Sequence, residues 1–388
     1  MNYDFDKQID RRNSGSLKWD VADNELALWV ADMDFETAPC IKDAICNRAL
    51  HGIFGYSVVT DKWSDSYVNW WKKRHNLNID KDALIFCTGI VPAISSCVRK
   101  LTTPAEKVLI QTPCYNIFFN SIVNNGRVPL ESPLSFDGSS YSMDFKRLEK
   151  DLSDPQVSLM ILCNPQNPTG NIWNADELRR VGELCRKYGV TVISDEIHCD
   201  IVRPGYGYVP FASVSETCAE ISVSCLAPSK CFNIAGINSA AVMVPNPVLR
   251  HKVCRALNTD EVAEPNAFAV DATIAAFMEG EEWLNQLNDY LFNNRNFAEE
   301  FIAKEIPGFT VIKGDSTYLL WVRLGTDSDG NEINADEFAE ALRRETGLRV
   351  NGGCEYGRSG DNFIRINLAC PRAVLTDALM RLKSYCAK

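Results

Sequence analysis

Histidine is scarce in this chain, four in 388 residues, and no two are spaced H-x-x-x-H. That spacing is the usual helical zinc signature, so the sequence gives no basis for a metal centre. No apolar stretch approaches the ~20 residues that a membrane span needs. Positive charge is in deficit too: 40 Lys and Arg against 51 Asp and Glu leave a formal charge of −11. That balance does not suit nucleic acid or an anionic membrane, and neither is expected as a partner. The opening Met-Asn-Tyr-Asp-Phe-Asp is acidic and lacks the basic and apolar regions of a signal peptide. Cysteine alone is abundant, at 15. The number is odd, the residues are scattered and no C-x-x-C pair occurs. A cytoplasmic chain with reduced thiols is therefore expected, with neither a disulfide framework nor a zinc site.

What is present is ordinary for a globular protein: 46% hydrophobic and 23% charged residues. The length allows two domains. From about residue 83 short apolar runs alternate with helical patterns: Ala83–Cys87, Lys107–Gln111, Val157–Cys163, Val190–Ser194, Ile221–Leu226 and Ser239–Val244. Runs of that length, rich in Val and Ile, read as buried strands of a parallel sheet with helices on both faces. Residues 174–189 predict a helix capped by Asn174, with Glu177 at capping-box spacing, an apolar stripe from Leu178 to Tyr188 and a stop at Gly189. Glu281–Lys304 reads as a long helix leading away. Beyond it, strands at 309–312, 317–322 and 362–367 and helices at 336–346 and 372–386 predict a smaller α+β module. The N-terminal segment, with its apolar patch Leu26–Ala31, is expected to pack with that module. The expected division is a large domain over 46–285 and a small one built from 1–45 and 286–388.

Three polar groups sit at or just beyond strand ends. They are Asn167 in Asn164-Pro-Gln-Asn-Pro-Thr-Gly170, Asp195 in Asp195-Glu-Ile-His198, and Lys230 after Ala227-Pro-Ser229. Open α/β sheets place ligands just outside the carboxyl ends of their strands, so the three should meet in one crevice. A lysine able to form a Schiff base, with a carboxylate for a pyridinium nitrogen, is the protein half of pyridoxal phosphate chemistry. Burial there would lower the amine pKa, as such a lysine requires. Glu196 competes with Asp195, but strand alternation turns it to the other face. His198 either hydrogen-bonds near the site or fills a helix turn. Gly89, Ile90 and Val91, in Thr88-Gly-Ile-Val-Pro92, follow another strand end, where backbone N–H groups could take a phosphate. Tyr115 is either a stacking ring or a core aromatic. Arg365, flanked by apolar residues in Phe363–Leu368, needs an anionic partner, either a substrate carboxylate or a structural acid.

Together these residues resemble the fold-type-I pyridoxal phosphate enzymes, the aspartate aminotransferase superfamily. The resemblance is closest to the cystathionine β-lyase/cysteine–sulfur lyase branch, of MalY/PatB type. It spans nearly the whole chain: Ser16–Asp20, Trp29-Val-Ala-Asp-Met-Asp-Phe35, Gly52-Ile-Phe-Gly-Tyr56, the NPQNPTG and SDEIH segments, APSKCFNIAG and Arg365–Arg372. It implies a PLP-dependent transferase fold with a mostly parallel seven-stranded sheet, a pyridoxal 5'-phosphate cofactor and an amino-acid substrate. It also implies a homodimer with its sites at the interface.

Residue by residue, the resemblance makes Lys230 the Schiff-base lysine and Cα-proton shuttle, and Asp195 the partner of the pyridine nitrogen. Asn167 would bond the phenolic oxygen, Tyr115 would stack on the ring, and Ile90 and Val91 would take the phosphate with Gly89 beside them. His198 and Ser229 line the cofactor, and Tyr56 reaches the phosphate from a neighbouring subunit. Arg365 grips the substrate α-carboxylate, near Ala31 and Asn167. The implied reaction is α,β-elimination on cystathionine, cysteine or another S-substituted cysteine. An aminotransferase shares its first half, and a regulator retaining fold and cofactor is a third reading. Two departures stand out. Leu226 and Ala227 occupy positions where relatives often carry a phosphate-binding hydroxyl, and Asn238 stands where aspartate aminotransferase has an arginine.

Overall fold

The computed structural model describes residues 2–327 and 329–387; positions 1, 328 and 388, all in the predicted small domain, lie outside the described residues. In chain order the strands are β1 (Leu26–Ala27), β2 (Leu84–Cys87), β3 (Lys107–Ile110), β4 (Val128–Glu131), β5 (Ser135–Phe136), β6 (Tyr141–Ser142), β7 (Val157–Cys163) and β8 (Thr191–Asp195). They continue with β9 (Ser222–Leu226), β10 (Ala240–Met243), β11 (Thr310–Val311), β12 (Leu319–Arg323), β13 (Leu348–Arg349), β14 (Asn351–Gly352) and β15 (Phe363–Asn367).

Seven of them form the main sheet in the order β2-β10-β9-β8-β7-β3-β4. Pairing is parallel throughout except for β10, which runs antiparallel to both neighbours. Alternation along the central strands feeds two cores. Leu159 and Ile161 of β7 join Ile193, Val223 and Val242 beneath the helix Ile90–Leu101. Met160 and Leu162 face the other way, against Leu178, Val181 and Cys185 of the helix Ala175–Tyr188. That helix carries the expected cap: the Asn174 side chain accepts from Asp176 and Glu177, and Glu177 returns the bond to the Asn174 N–H. A sheet covered on both faces leaves open only its strand ends, which is where a ligand enters.

A second sheet, β11-β12-β15-β14, is antiparallel. It packs with the helices Ala335–Thr346 and Arg372–Cys386 around Leu320, Val322, Ile364, Ile366 and Leu379. Leu26 and Leu28 enter this same core and β1 pairs in parallel with β13, whereas Phe5, Met33, Phe35, Ala38 and Ile41 join a different core with Trp63, Phe277 and Trp283. Positions 45/46 and 285/286 fall inside continuous helices, Pro39–His51 and Glu281–Glu305. Among the described residues, no helix is long and apolar enough to cross a membrane.

Candidate active site

The strand ends converge as sheet topology requires. A cavity of about 220 Å³ opens beyond β2, β3, β7, β8 and β9. Among its lining residues are Ala31, Gly89, Ile90, Val91, Tyr115, Asn167, Asp195, His198, Ser229 and Lys230. Ten of the twelve site residues expected from sequence therefore share one wall. Gly89 precedes the helix Ile90–Leu101, whose first turn has no side-chain cap, so its N–H groups are left for a ligand. A Cβ at Gly89 would sit 3.3 Å from Pro92 Cδ and crowd that mouth.

Asp195 is 4% exposed, and its Oδ1 accepts the Ile197 N–H at 3.2 Å. Burial pushes its pKa up to about 7, reinforced by Glu196; the Ile197 bond and Lys230 pull the other way. Lys230 is part-buried and donates to the Ala31 carbonyl at 2.7 Å. Burial, followed by the Arg365 charge, brings its pKa down to about 8, with Asp32 and Asp195 opposing. Burial also drops His198 to about 3, so the ring is neutral near pH 7; its Nδ1 is buried without a partner. Lys230 and Asp195 are each poised close to neutrality, which is where acid–base work is efficient.

Arg365, on β15, is buried behind Asn167 of the cavity wall, outside the lining itself. It donates to Asn167 Oδ1 at 3.2 Å, Trp29 O at 2.9 Å and Asn351 Oδ1 at 3.1 Å, over the Tyr356 ring at 4.9 Å. Its partners are neutral oxygens and its Nε has none, so the guanidinium keeps capacity for an anion. Tyr56 is the residue the chain does not bring in. It is fully exposed, on an irregular segment between the helices Pro39–His51 and Asp61–His75. Glu196 faces away, as strand alternation requires, and accepts from Ser194 Oγ, Tyr208 and the Phe211 N–H. Leu226 and Ala227 are core residues, and of that stretch only Ser229 and Lys230 reach the cavity.

Cys163, Ile197, Ala235, Asn238 and Ser239 also line the wall. Sequence did not mark Cys163 or Ser239, because one closes an apolar strand and the other opens one. Elsewhere, His75, Cys199 and Asp200 bring potential ligand atoms within 4.8 Å. The Asp200 carboxylate already accepts from Trp70, Arg74 and His75, and the guanidinium occupies the place a cation would need. This is a buried ion-pair network.

The aminotransferase class I and II family profile matches residues 24–382. The chain belongs to that family. Cystathionine beta-lyase PatB of Bacillus subtilis (strain 168) is 39% identical over 386 residues, covering 98% of this chain and 99% of the relative. Among solved structures, a PLP-bound putative aminotransferase from Clostridium difficile 630 superposes with a TM-score of 0.94 at 38% identity, over 99% of this chain and 100% of that one. The PLP-bound C-S lyase from Staphylococcus hominis gives 0.93 at 32% identity, over 100% and 99%. The family's α/β fold is the one described above, with its mixed seven-stranded sheet.

Proposed function

We propose that the chain is a pyridoxal-phosphate-dependent cysteine–sulfur β-lyase acting on cystathionine, cysteine or a related S-substituted cysteine. The observation that carries this reading is the opening of a neutral-poised amine and a buried carboxyl on one cavity, with a buried arginine bonded to Asn167 of its wall, in a chain 39% identical to a cystathionine beta-lyase. The residues fit the cofactor: an uncapped helix start suits its phosphate, Asp195 a ring N–H, and the aldehyde meets an amine that burial keeps partly neutral.

Bound there, pyridoxal phosphate supplies an electron sink conjugated to the substrate's Cα. Lys230 would hold the cofactor's aldehyde carbon and, once freed by the substrate amine, would take the Cα proton. Asp195 keeps the ring nitrogen protonated. Asn167, whose Oδ1 accepts from Arg365, would hold the cofactor's phenolic oxygen through its amide N–H. Tyr115 would cover the ring, and Arg365 would hold the α-carboxylate with Ala31 alongside. The Cβ substituent would leave as a thiolate, the Lys230 amine would return to the cofactor carbon in place of the product nitrogen, and the enamine so freed takes up water to give pyruvate and ammonia.

Further readings go with this one. The chain divides near 46 and 285 into a cofactor-binding domain and a small domain from both ends. It is a cytoplasmic homodimer, which accounts for Tyr56: exposed beside Ile53, Phe54 and Val58, it serves a second copy's site. An aminotransferase remains the second reading, favoured by the Clostridium difficile neighbour. The test adds L-cystathionine to purified protein while absorbance, pyruvate and free thiol are followed. A band near ~420 nm that is lost in Lys230→Ala, with pyruvate accumulating, is expected. Conversion of amino acids only when a keto acid is added, with no pyruvate or thiol released, would sink the lyase reading.

A further inference from the structure

The backbone at Trp29–Asp32 is gripped at four successive carbonyls. Arg365 donates to Trp29 O at 2.9 Å, and Asn367 reaches both Val30 O and Asp32 O at 2.6 Å. Lys18 adds a bond to Asp32 O at 3.3 Å. Between them the Ala31 oxygen takes two donors, Lys230 Nζ at 2.7 Å and the Tyr318 hydroxyl at 2.9 Å. Asn233, three residues after the lysine, pairs with Met33 through both its N–H and its carbonyl. The strap is thus fixed at both ends to strand β15 and to the lysine's own loop. Tyr318 is buried, and its ring lies 6.1 Å from His198, edge to face.

We propose that Tyr318 is a positioning residue that acts on the Lys230 amine through Ala31: its hydroxyl shares the Ala31 oxygen with the amine and so weakens the oxygen's hold on the protonated form. The inference rests on Lys230 being the amine that meets the cofactor. A carbonyl oxygen stabilises an ammonium donor more than a neutral amine, and a second donor on the same oxygen drains the density it offers. Because Asn367 fixes the carbonyls on either side, removing the hydroxyl leaves Ala31 in place and strengthens its bond to the charged lysine. The other groups facing Lys230 are Arg365, Asp32, Asp195 and His198, and none of them contacts the Tyr318 hydroxyl directly in the hydrogen-bond network.

The test uses the full chain stripped of cofactor and mixed with pyridoxal phosphate across a range of pH. Only the neutral amine adds to the aldehyde carbon, with water leaving, so the rate of rise near ~420 nm reports the amine's protonation. In Tyr318→Phe the pH midpoint of that rate should move up by about half a unit, slowing the reaction about threefold below it. Replacing Tyr318 by 3-fluorotyrosine keeps the packing and strengthens the donor, and should move the midpoint down. A role confined to packing would lower thermal stability in Tyr318→Phe and leave both midpoints at the wild-type value. That outcome, or shifts of the opposite sign, overturns the proposal while the cofactor assignment stands. If wild type and Lys230→Ala react alike, the cofactor assignment and the proposal fall together.

Discussion

Asp195 sits where its surroundings favour keeping a proton, and Lys230 where they favour losing one. A carboxyl raised to about 7 binds its proton more tightly in the folded chain than in the unfolded one. Its contribution to stability is present below about pH 4 and lost as pH rises through about 7. Asp195→Asn should therefore stabilise the cofactor-free protein at pH 8 by on the order of 2–4 kcal/mol, with the gain vanishing towards pH ~4. Denaturant titrations at the two pH values check this, and an equal gain at both would contradict it. The same variant should release cofactor more readily, since an amide cannot hold a pyridinium. At this scale the chemical groups were legible: Asn167, Asp195 and Lys230 each follow an apolar run that ends where the sheet ends. Tyr318 and Asn367 were not, because each reads as one more residue of a short strand in the smaller module. Their partners lie 287 and 337 positions away.

Elements with local signals were read closely, and those defined by tertiary pairing were not. The helix after Asn174 announces itself through its cap and stripe, and Arg372–Cys386 matches its expected span. Strand β4, Val128-Pro-Leu-Glu131, was missed because it is a short edge strand carrying a proline. The reversed direction of β10 has no signature in its own residues. One inter-element contact bears directly on the site. Gly314, between β11 and β12, lies against the turn that carries Asn167; a Cβ there would fall 2.6 Å from Thr169 O and 2.9 Å from Gly170 Cα. Gly170 O also accepts from the N–H groups of Asp315 and Ser316 and from Ser316 Oγ. Gly314→Ala should cost about 1–3 kcal/mol by forcing the two segments apart. It should also weaken cofactor binding by displacing Asn167. Thermal melts with and without pyridoxal phosphate separate these effects, and an unchanged melt in both would show that the contact has slack.

For the whole molecule, an exposed apolar run at Leu50, Ile53, Phe54, Tyr56 and Val58 is the surface feature that the isolated chain leaves unexplained. If a second copy covers it, Phe54→Glu should shift sedimentation from dimer to monomer. Cofactor affinity should fall about tenfold or more, since Tyr56 would be withdrawn from its partner's site. A dimer that persists with full affinity would place the interface elsewhere. The second, antiparallel sheet was legible because the strand–helix alternation of the main sheet gives way to a long helix at Glu281 and strands resume beyond it; the place given to Tyr56 rests on resemblance alone. The pairing of β1 with β13, and of the Val30 carbonyl with Asn367, also sets an order of events during synthesis. The segment that carries Ala31 leaves the ribosome early, yet the last residues that fix it are translated more than three hundred codons later. A chain interrupted short of β15 lacks the Arg365 and Asn367 bonds to the Trp29, Val30 and Asp32 carbonyls, so the strap that carries the amine's docking point is fully held only once translation is nearly complete.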